Sequence, residues 1–295
     1  MKIYIESSAL KSATENLLPE GALFGMKYLQ EAEYDLSFDT GALSEIQFRL
    51  IENESITNGG FDESDADSII LKQDLYQLLS EGDIIESAES WTNLTRSILF
   101  PSRKAEIKRD TKETKISVSI NLDGTGESNI STGLNFFDHM LDQIARHGLI
   151  DLNLTCDGDL NVDEHHTIED TAIALGQAIR RAISENKAGI QRYGFILPMD
   201  EAQATVAIDL SDRPYLRWEV DLNREYVGDF PTEMLEHFYY TLAMNVKATL
   251  HVKASGKNDH HIIESIFKGF AKALRFSISR NERIRGILPT TKGTI

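Results

Sequence analysis

The stretch Asp163-Glu164-His165-His166-Thr167-Ile168-Glu169-Asp170 contains a His-His-x-x-Glu core, and the core returns in Asp259-His260-His261-Ile262-Ile263-Glu264. Each copy opens a segment with helical apolar spacing. Ala172, Ile173, Leu175, Ala178, Ile179, Ala182 and Ile183 follow the first; Ile266, Phe267, Phe270, Ala271 and Leu274 follow the second. On a helix, residues four apart share a face, while adjacent ones diverge by about 100°. His165 with Glu169, and His260 with Glu264, can therefore each grip one ion, while His166 and His261 point elsewhere. A single His-His pair reads equally well as a capped helix start. Two at matched spacing argue for two metal ions shared reciprocally between the copies.

The flanking sequence repeats as well. Lys115–Leu122 alternates as a strand, and Asp123-Gly124-Thr125-Gly126 is a turn signal. A helix is expected from Asn135 through His147, with Gly148 as its stop, then a strand over Leu149–Cys156 before the first His-His helix. The second half runs through strands Ala202–Leu210 and Leu216–Asp221, a helix Thr232–Met244, a strand Ala248–Ala254 and the second His-His helix. His139 precedes His165 by 26 residues, and His237 precedes His260 by 23. An internal duplication accounts for this order. Sheets with helices packed on one face give an α+β class.

Composition bounds the function. A chain of 295 residues has room for about two domains with a proper core. Residues 1–100 carry 6 Lys+Arg against 19 Asp+Glu, the rest 24 against 28, within a net charge of −17. So acidic a chain is a poor general nucleic-acid binder, and no nucleic-acid partner is expected. No apolar run approaches the roughly 18 residues of a membrane span, and Met1–Glu6 does not read as a signal peptide, so no membrane association is expected. The lone Cys156 excludes an internal disulfide and fits a cytoplasmic location.

The charge shift near residue 100 places a domain boundary, with a small acidic α/β domain over 1–103 and a second domain over 104–295. In the first, Lys2–Ile5 and Tyr34–Phe38 read as strands, and Ala22–Glu31 and Asp65–Leu79 as helices. Ser90 is placed to cap a last helix through Leu99. This region contains no histidine or cysteine, and its scattered carboxylates read as a solvated face.

Several ordered motifs together resemble imidazoleglycerol-phosphate dehydratase, an enzyme of histidine biosynthesis. They are Phe136-Phe137-Asp138-His139-Met140-Leu141-Asp142-Gln143, Asp163–Asp170, Lys257–Ser265 with Phe267-Lys268, and Leu288-Pro289-Thr290-Thr291-Lys292-Gly293. The resemblance covers residues 104–295 and implies an internally duplicated domain of the ribosomal protein S5 domain 2-like kind. It implies dehydration of D-erythro-imidazole glycerol phosphate to imidazole acetol phosphate, using two Mn²⁺ per active site that stabilise an imidazolate. One ion would take His139, His166, His260 and Glu264, the other His165, Glu169, His237 and His261. Four protein ligands leave two positions open on an octahedral ion. Histidine-rich sets suit Zn²⁺ or Ni²⁺ on affinity order, so manganese rests on the resemblance alone.

By the same resemblance Glu113 is the proton-transfer group; by itself it reads as an exposed glutamate at a strand start. Phosphate binding falls to Arg192, Arg213, Lys268, Thr290, Thr291 and Lys292. Thr290 and Thr291 stand where members usually carry serines, and Asp212 stands where they carry glycine. Gln143 and His147 either line the site or pack beneath it, Asp170 orients a ligand, and His251 reads as a hydrogen-bonded strand residue. Members of the family form a hollow 24-mer shell with sites assembled from more than one subunit, so a homo-oligomer is expected.

Some members also carry an N-terminal phosphatase domain of the haloacid-dehalogenase type. That chemistry needs Asp-x-Asp after the first strand, for a nucleophile and an acid. Here Glu6-Ser7-Ser8 follows Ile3-Tyr4-Ile5, so residues 1–103 read as a degenerate remnant without phosphatase activity. Two other functions fit two clustered metals: a dinuclear phosphate hydrolase, whose usual carboxylate-rich signature is missing, and a non-catalytic metal-linked assembly.

Overall fold

The computed structural model describes residues 1–14, 16–183 and 190–280. It divides into two compact units, Met1–Pro101 and Ser102–Ile295.

The first unit is a mixed five-stranded sheet in the order β2-β1-β3-β4-β5, built from β1 (Lys2–Ile5), β2 (Asp35–Phe38), β3 (Ser68–Lys72), β4 (Tyr76–Ser80) and β5 (Asp83–Ala88). β1 pairs in parallel with β2 and β3, and the last three strands form an antiparallel meander. Four helices accompany it: α1 (Ser7–Leu10), α2 (Ala22–Glu31), α3 (Glu45–Asn53) and α4 (Trp91–Leu99). Ser90 caps α4 by accepting from the Asn93 amide. The helix expected over residues 65–79 is instead β3 and most of β4. Ser68 and Ile70, then Tyr76 and Leu78, point into the core on a two-residue period, and the chain reverses at Gln73-Asp74-Leu75. The β-branched pair Ile69-Ile70 favours that pleated arrangement over a helix. α3 was not expected, although Ser44 and Gln47 form a full capping box at its start.

The second unit contains the duplication in three dimensions. Its first half has β6 (Lys104–Asp110), β7 (Thr114–Asn121), β8 (Ser128–Ser131), α5 (Asn135–Gly148), β9 (Asp151–Gly158) and α6 (His165–Ile183). Its second half has β10 (Tyr193–Met199), β11 (Ala202–Asp209), β12 (Tyr215–Val220), a small ribbon of β13 (Tyr226–Val227) and β14 (Phe230–Pro231), α7 (Met234–Val246), β15 (Thr249–Ser255) and α8 (Asp259–Ser277). The sheets run β6-β7-β9-β8 and β10-β11-β15-β12, the same order twice. In each, one strand pairs in parallel with the strand reached through a helix, β8 with β9 and β12 with β15. Strands β7, β9, β11 and β15 alternate buried apolar with outward polar residues, as sheets with one covered face require.

The helices lie between the two sheets. α6 packs on β6 and β7, α8 on β10 and β11, and across the duplication α6 meets α7 while α5 meets α8. Phe137, Phe230, Phe238, Tyr239, Phe267 and Phe270 fill the centre of one continuous core. α5 ends one residue later than its glycine predicts. Gly148 is still helical, and Leu149 takes the left-handed conformation at φ 51°. Lys247 does the same after α7 at φ 57°, so the stop is duplicated too.

Candidate metal centre

Both His-His helices start in the same way. The Asp163 side chain accepts from the His165 amide at 3.0 Å, and the Asn258 side chain accepts from the His260 amide at 3.0 Å. These caps put the first histidine of each pair in the first turn, with its glutamate one turn on.

Two clusters result, and each draws on both halves of the duplication. His139 of α5 joins His260 and Glu264 of α8, and His237 of α7 joins His165 and Glu169 of α6; in each, one ligand atom per residue lies within 4.8 Å of the others. In the first, Glu264 Oε2 is 3.1 Å from His260 Nε2, and Oε1 is 3.9 Å from His139 Nε2. In the second, Glu169 Oε2 is 3.7 Å from His165 Nε2, and Oε1 is 3.1 Å from His237 Nε2. The His237 Nε2 atom is buried, and its approach to Glu169 Oε1 lacks hydrogen-bond geometry. Imidazole nitrogens and a carboxylate converging in this way are a donor set that fits a divalent cation.

His166 and His261 join neither cluster within the chain. His166 Nδ1 lies 3.1 Å from each carboxylate oxygen of Asp159, and its Nε2 lies 3.7 Å from Glu113 Oε1. His261 Nδ1 lies 2.9 Å from Glu201 Oε2, and its Nε2 lies 3.9 Å from Asp200 Oδ2. Glu113 sits in the β6–β7 turn and Asp200-Glu201 in the β10–β11 turn, so the duplication sets equivalent hairpin tips against equivalent histidines. The hydrogen bond from His261, with backbone amides, lowers the Glu201 carboxyl to about 2. The Asp159 hydrogen bond raises the His166 imidazole, and the Glu201 hydrogen bond raises that of His261.

The remaining expected site residues divide. Gln143 is buried, and its amide donates to the His139 carbonyl oxygen at 3.1 Å and lies 3.4 Å from His139 Nδ1, so it packs against a cluster residue. His147, one turn further on, is held below its ordinary pKa by burial and by the charges of Lys268 and Lys272. Lys268 lies 2.7 Å from Glu264 Oε1. Burial alone would raise the Glu264 carboxyl, but Lys268, His139 and His260 outweigh it and hold it below the usual range. Arg192 and Arg213 converge on one carboxylate, Asp209, at 2.7 and 3.5 Å. Arg192 and Asp209 line a concavity of about 310 Å³ with Gly194, Ala207 and Thr249. Thr290, Thr291 and Lys292 lie outside the described residues.

Asp212, beside Arg213, has φ 56°, a backbone conformation that glycine adopts without cost. Asp170 does not orient a cluster histidine. It is buried and accepts from Arg109 at 3.0 and 2.7 Å and from Thr114 at 2.5 Å, tying the β6–β7 hairpin to α6. His251 is exposed on β15 and lines the same concavity as Arg192. Asp159, Asp200 and Glu201 were missed as neighbours of the paired histidines. The equivalence of the two hairpin tips was the signal that could have found the latter two.

Fold and site together define a class: a duplicated α+β domain carrying two reciprocal histidine–carboxylate clusters. The family model described as imidazoleglycerol-phosphate dehydratase matches residues 132–274. The chain belongs to the imidazoleglycerol-phosphate dehydratase family. It is 43% identical over 275 residues to the histidine biosynthesis bifunctional protein HisB of Bacteroides fragilis, covering 91% of this chain and 70% of that one. It is 48% identical over 221 residues to the protein of that name from Spirosoma linguale, covering 75% of this chain and 57% of that one. The chain thus spans little more than half the length of several bifunctional relatives that it matches. The imidazoleglycerol-phosphate dehydratase of Staphylococcus aureus superposes with a TM-score of 0.55 at 35% identity, covering 60% of this chain and 99% of that one. IGPD of Pyrococcus furiosus gives 0.55 at 36% identity, covering 64% and 100%.

Proposed function

We propose that the chain dehydrates imidazole glycerol phosphate to imidazole acetol phosphate in histidine biosynthesis, as a hydro-lyase with two Mn²⁺ per active site. The observation that carries this reading is the pair of clusters, each built from both halves of the duplication and each one histidine short of the four-ligand set that the family resemblance implies. When bound, the two cations supply Lewis acidity that eases ionisation of the imidazole ring. Glu113, half exposed beside His166, is free to move the carbon-bound proton. Lys268, Arg192 and Arg213 supply the cationic charge that a phosphate ester needs, with Thr290, Thr291 and Lys292 assigned by the family motif.

His166 and His261 complete the sites of neighbouring copies in this reading, so the active protein is a homo-oligomer, a 24-mer like its family. Among the described residues no helix is long and apolar enough to cross a membrane. We assign the protein to the cytoplasm. Residues 1–103 lack phosphatase activity in this proposal, because Glu6-Ser7-Ser8 follows β1 where a nucleophilic aspartate would be needed.

The test is turnover by metal-stripped protein with Mn²⁺ restored, following the ketone, alongside His166→Ala and His261→Ala. Mn²⁺-dependent dehydration lost in both variants supports the two-metal site. Stoichiometric metal without turnover returns the assembly reading, and hydrolysis of a phosphate monoester by the intact chain would overturn the phosphatase assignment.

A further inference from the structure

The two histidines that stand outside the clusters are held in the same way by two carboxylates that no part of the dehydration assigns. Asp159 faces His166 with both oxygens at 3.1 Å from Nδ1, and Glu201 faces His261 with Oε2 at 2.9 Å from Nδ1. Among the described residues the opposite nitrogens are further from any carboxylate, Nε2 of His166 at 3.7 Å from Glu113 and Nε2 of His261 at 3.9 Å from Asp200. An imidazole in solution favours the proton on Nε2. A carboxylate at hydrogen-bond distance from Nδ1 reverses that preference, because a carboxylate accepts and cannot donate. The lone pair is then on Nε2, the nitrogen across the ring from the Asp159 or Glu201 contact.

The two arrangements come from different places in the repeat. Asp159 follows β9, and its amide donates to the Glu113 carbonyl oxygen at 3.1 Å. Glu201 belongs to the β10–β11 turn, and its Oε1 also accepts from the Asn258 amide at 2.9 Å and the Lys257 amide at 3.3 Å. The same imidazole presentation has therefore been reached by non-equivalent carboxylates, which marks the presentation itself as the shared requirement.

We infer that Asp159 and Glu201 are positioning residues that fix His166 and His261 in the Nδ1–H tautomer and so leave the Nε2 lone pair for a cation. This rests on the two-metal reading for its purpose, but its geometry stands without it. Removing a carboxylate that orients a ligating histidine lowers metal affinity by about 10- to 100-fold.

The experiment has two readouts on the full chain. Imidazole ¹⁵N shifts of metal-free protein at about pH 9, above imidazolium titration, report the tautomer directly. His166 and His261 are expected as Nδ1–H; Asp159→Ala returns only His166 to Nε2–H, and Glu201→Ala only His261. Equilibrium dialysis with Mn²⁺ is expected to show the 10- to 100-fold loss in each alanine variant, with Asp159→Asn, which keeps an acceptor oxygen, lying nearer the parent. Since Glu201 also holds the start of α8, Glu201→Gln replaces the alanine variant if that one does not fold. Nε2–H in the parent, or an unchanged tautomer and affinity in Asp159→Ala, overturns the inference. A parent that binds no Mn²⁺ overturns the two-metal reading instead, while the shifts still decide the tautomers.

Discussion

Asp170 illustrates how one buried carboxylate ties the chemistry to the scaffold. It receives Arg109 from β6 and Thr114 from β7, on either side of the turn that carries Glu113, while sitting on the helix that carries His165, His166 and Glu169. Asp170→Ala leaves Arg109 without its carboxylate. The cost is expected at about 3 kcal/mol, the low end for a broken buried pair because Arg109 is partly exposed. Urea unfolding measures it. Asp151 makes a second prediction. Burial pushes its carboxyl up, but the amides of Thr125, Glu127 and Gly126 and the Asn121 side chain hold it below its usual value. A depressed native pKa contributes stability that is present above the unfolded value near 3.8 and lost as pH falls through the native one. Between pH 5 and pH 2 the parent is therefore expected to lose more stability than Asp151→Asn, as read from urea midpoints across that range. Gly124 is required beside it, since a Cβ there would collide with the Asp151 carboxylate.

At the scale of elements, the duplicated helix ends are the most testable feature. Leu149 and Lys247 both occupy left-handed backbone after α5 and α7, and each donates its amide to the carbonyl four residues back, Ala145 and Ala243. A side chain there costs roughly 1–2 kcal/mol that glycine avoids, less the extra freedom glycine gains when unfolded. Lys247→Gly is expected to stabilise by roughly 0.5–1 kcal/mol, as a rise in thermal midpoint without change in cluster geometry. Elements with strong local signals were legible: the capped α4, the alternating β7 and β11, and both His-His helices. The meander over β3 and β4 was not, because Ile69, Ile70, Leu71, Leu75, Leu78 and Leu79 satisfy helical and strand spacing alike. Only pairing with β1 and β5 decides between them.

For the molecule as a whole, a cation held at either cluster would couple its binding to folding. Each brings a helix of one half against a helix of the other, so an ion held there would cross-link α5 to α8 and α6 to α7. Mn²⁺ at 100 times its dissociation constant is expected to stabilise by about 2.7 kcal/mol per site, lost on chelation and restored on readdition. Thermal melts with and without Mn²⁺ check this, and Glu264→Gln should blunt the response. The acidic charge concentrated in residues 1–100 has no matching cluster of metal-ligating groups among the described residues of that unit.

The sequence by itself determined the duplication, the α+β class and the division of each helix face. Spacing of four residues makes His165 share a face with Glu169, and His260 with Glu264, whatever surrounds them. The family motifs added which histidine joins which pair. Only the tertiary structure decided that α5 lies against α8 and α7 against α6, which is what carries His139 and His237 to clusters in the opposite half. It alone also decided that Asp159 and Glu201 hold His166 and His261, and that Arg192 reaches the carboxylate of Asp209. The reason is physical: helix periodicity is a local property of the backbone, whereas contacts between residues tens of positions apart depend on how two sheets close over one core.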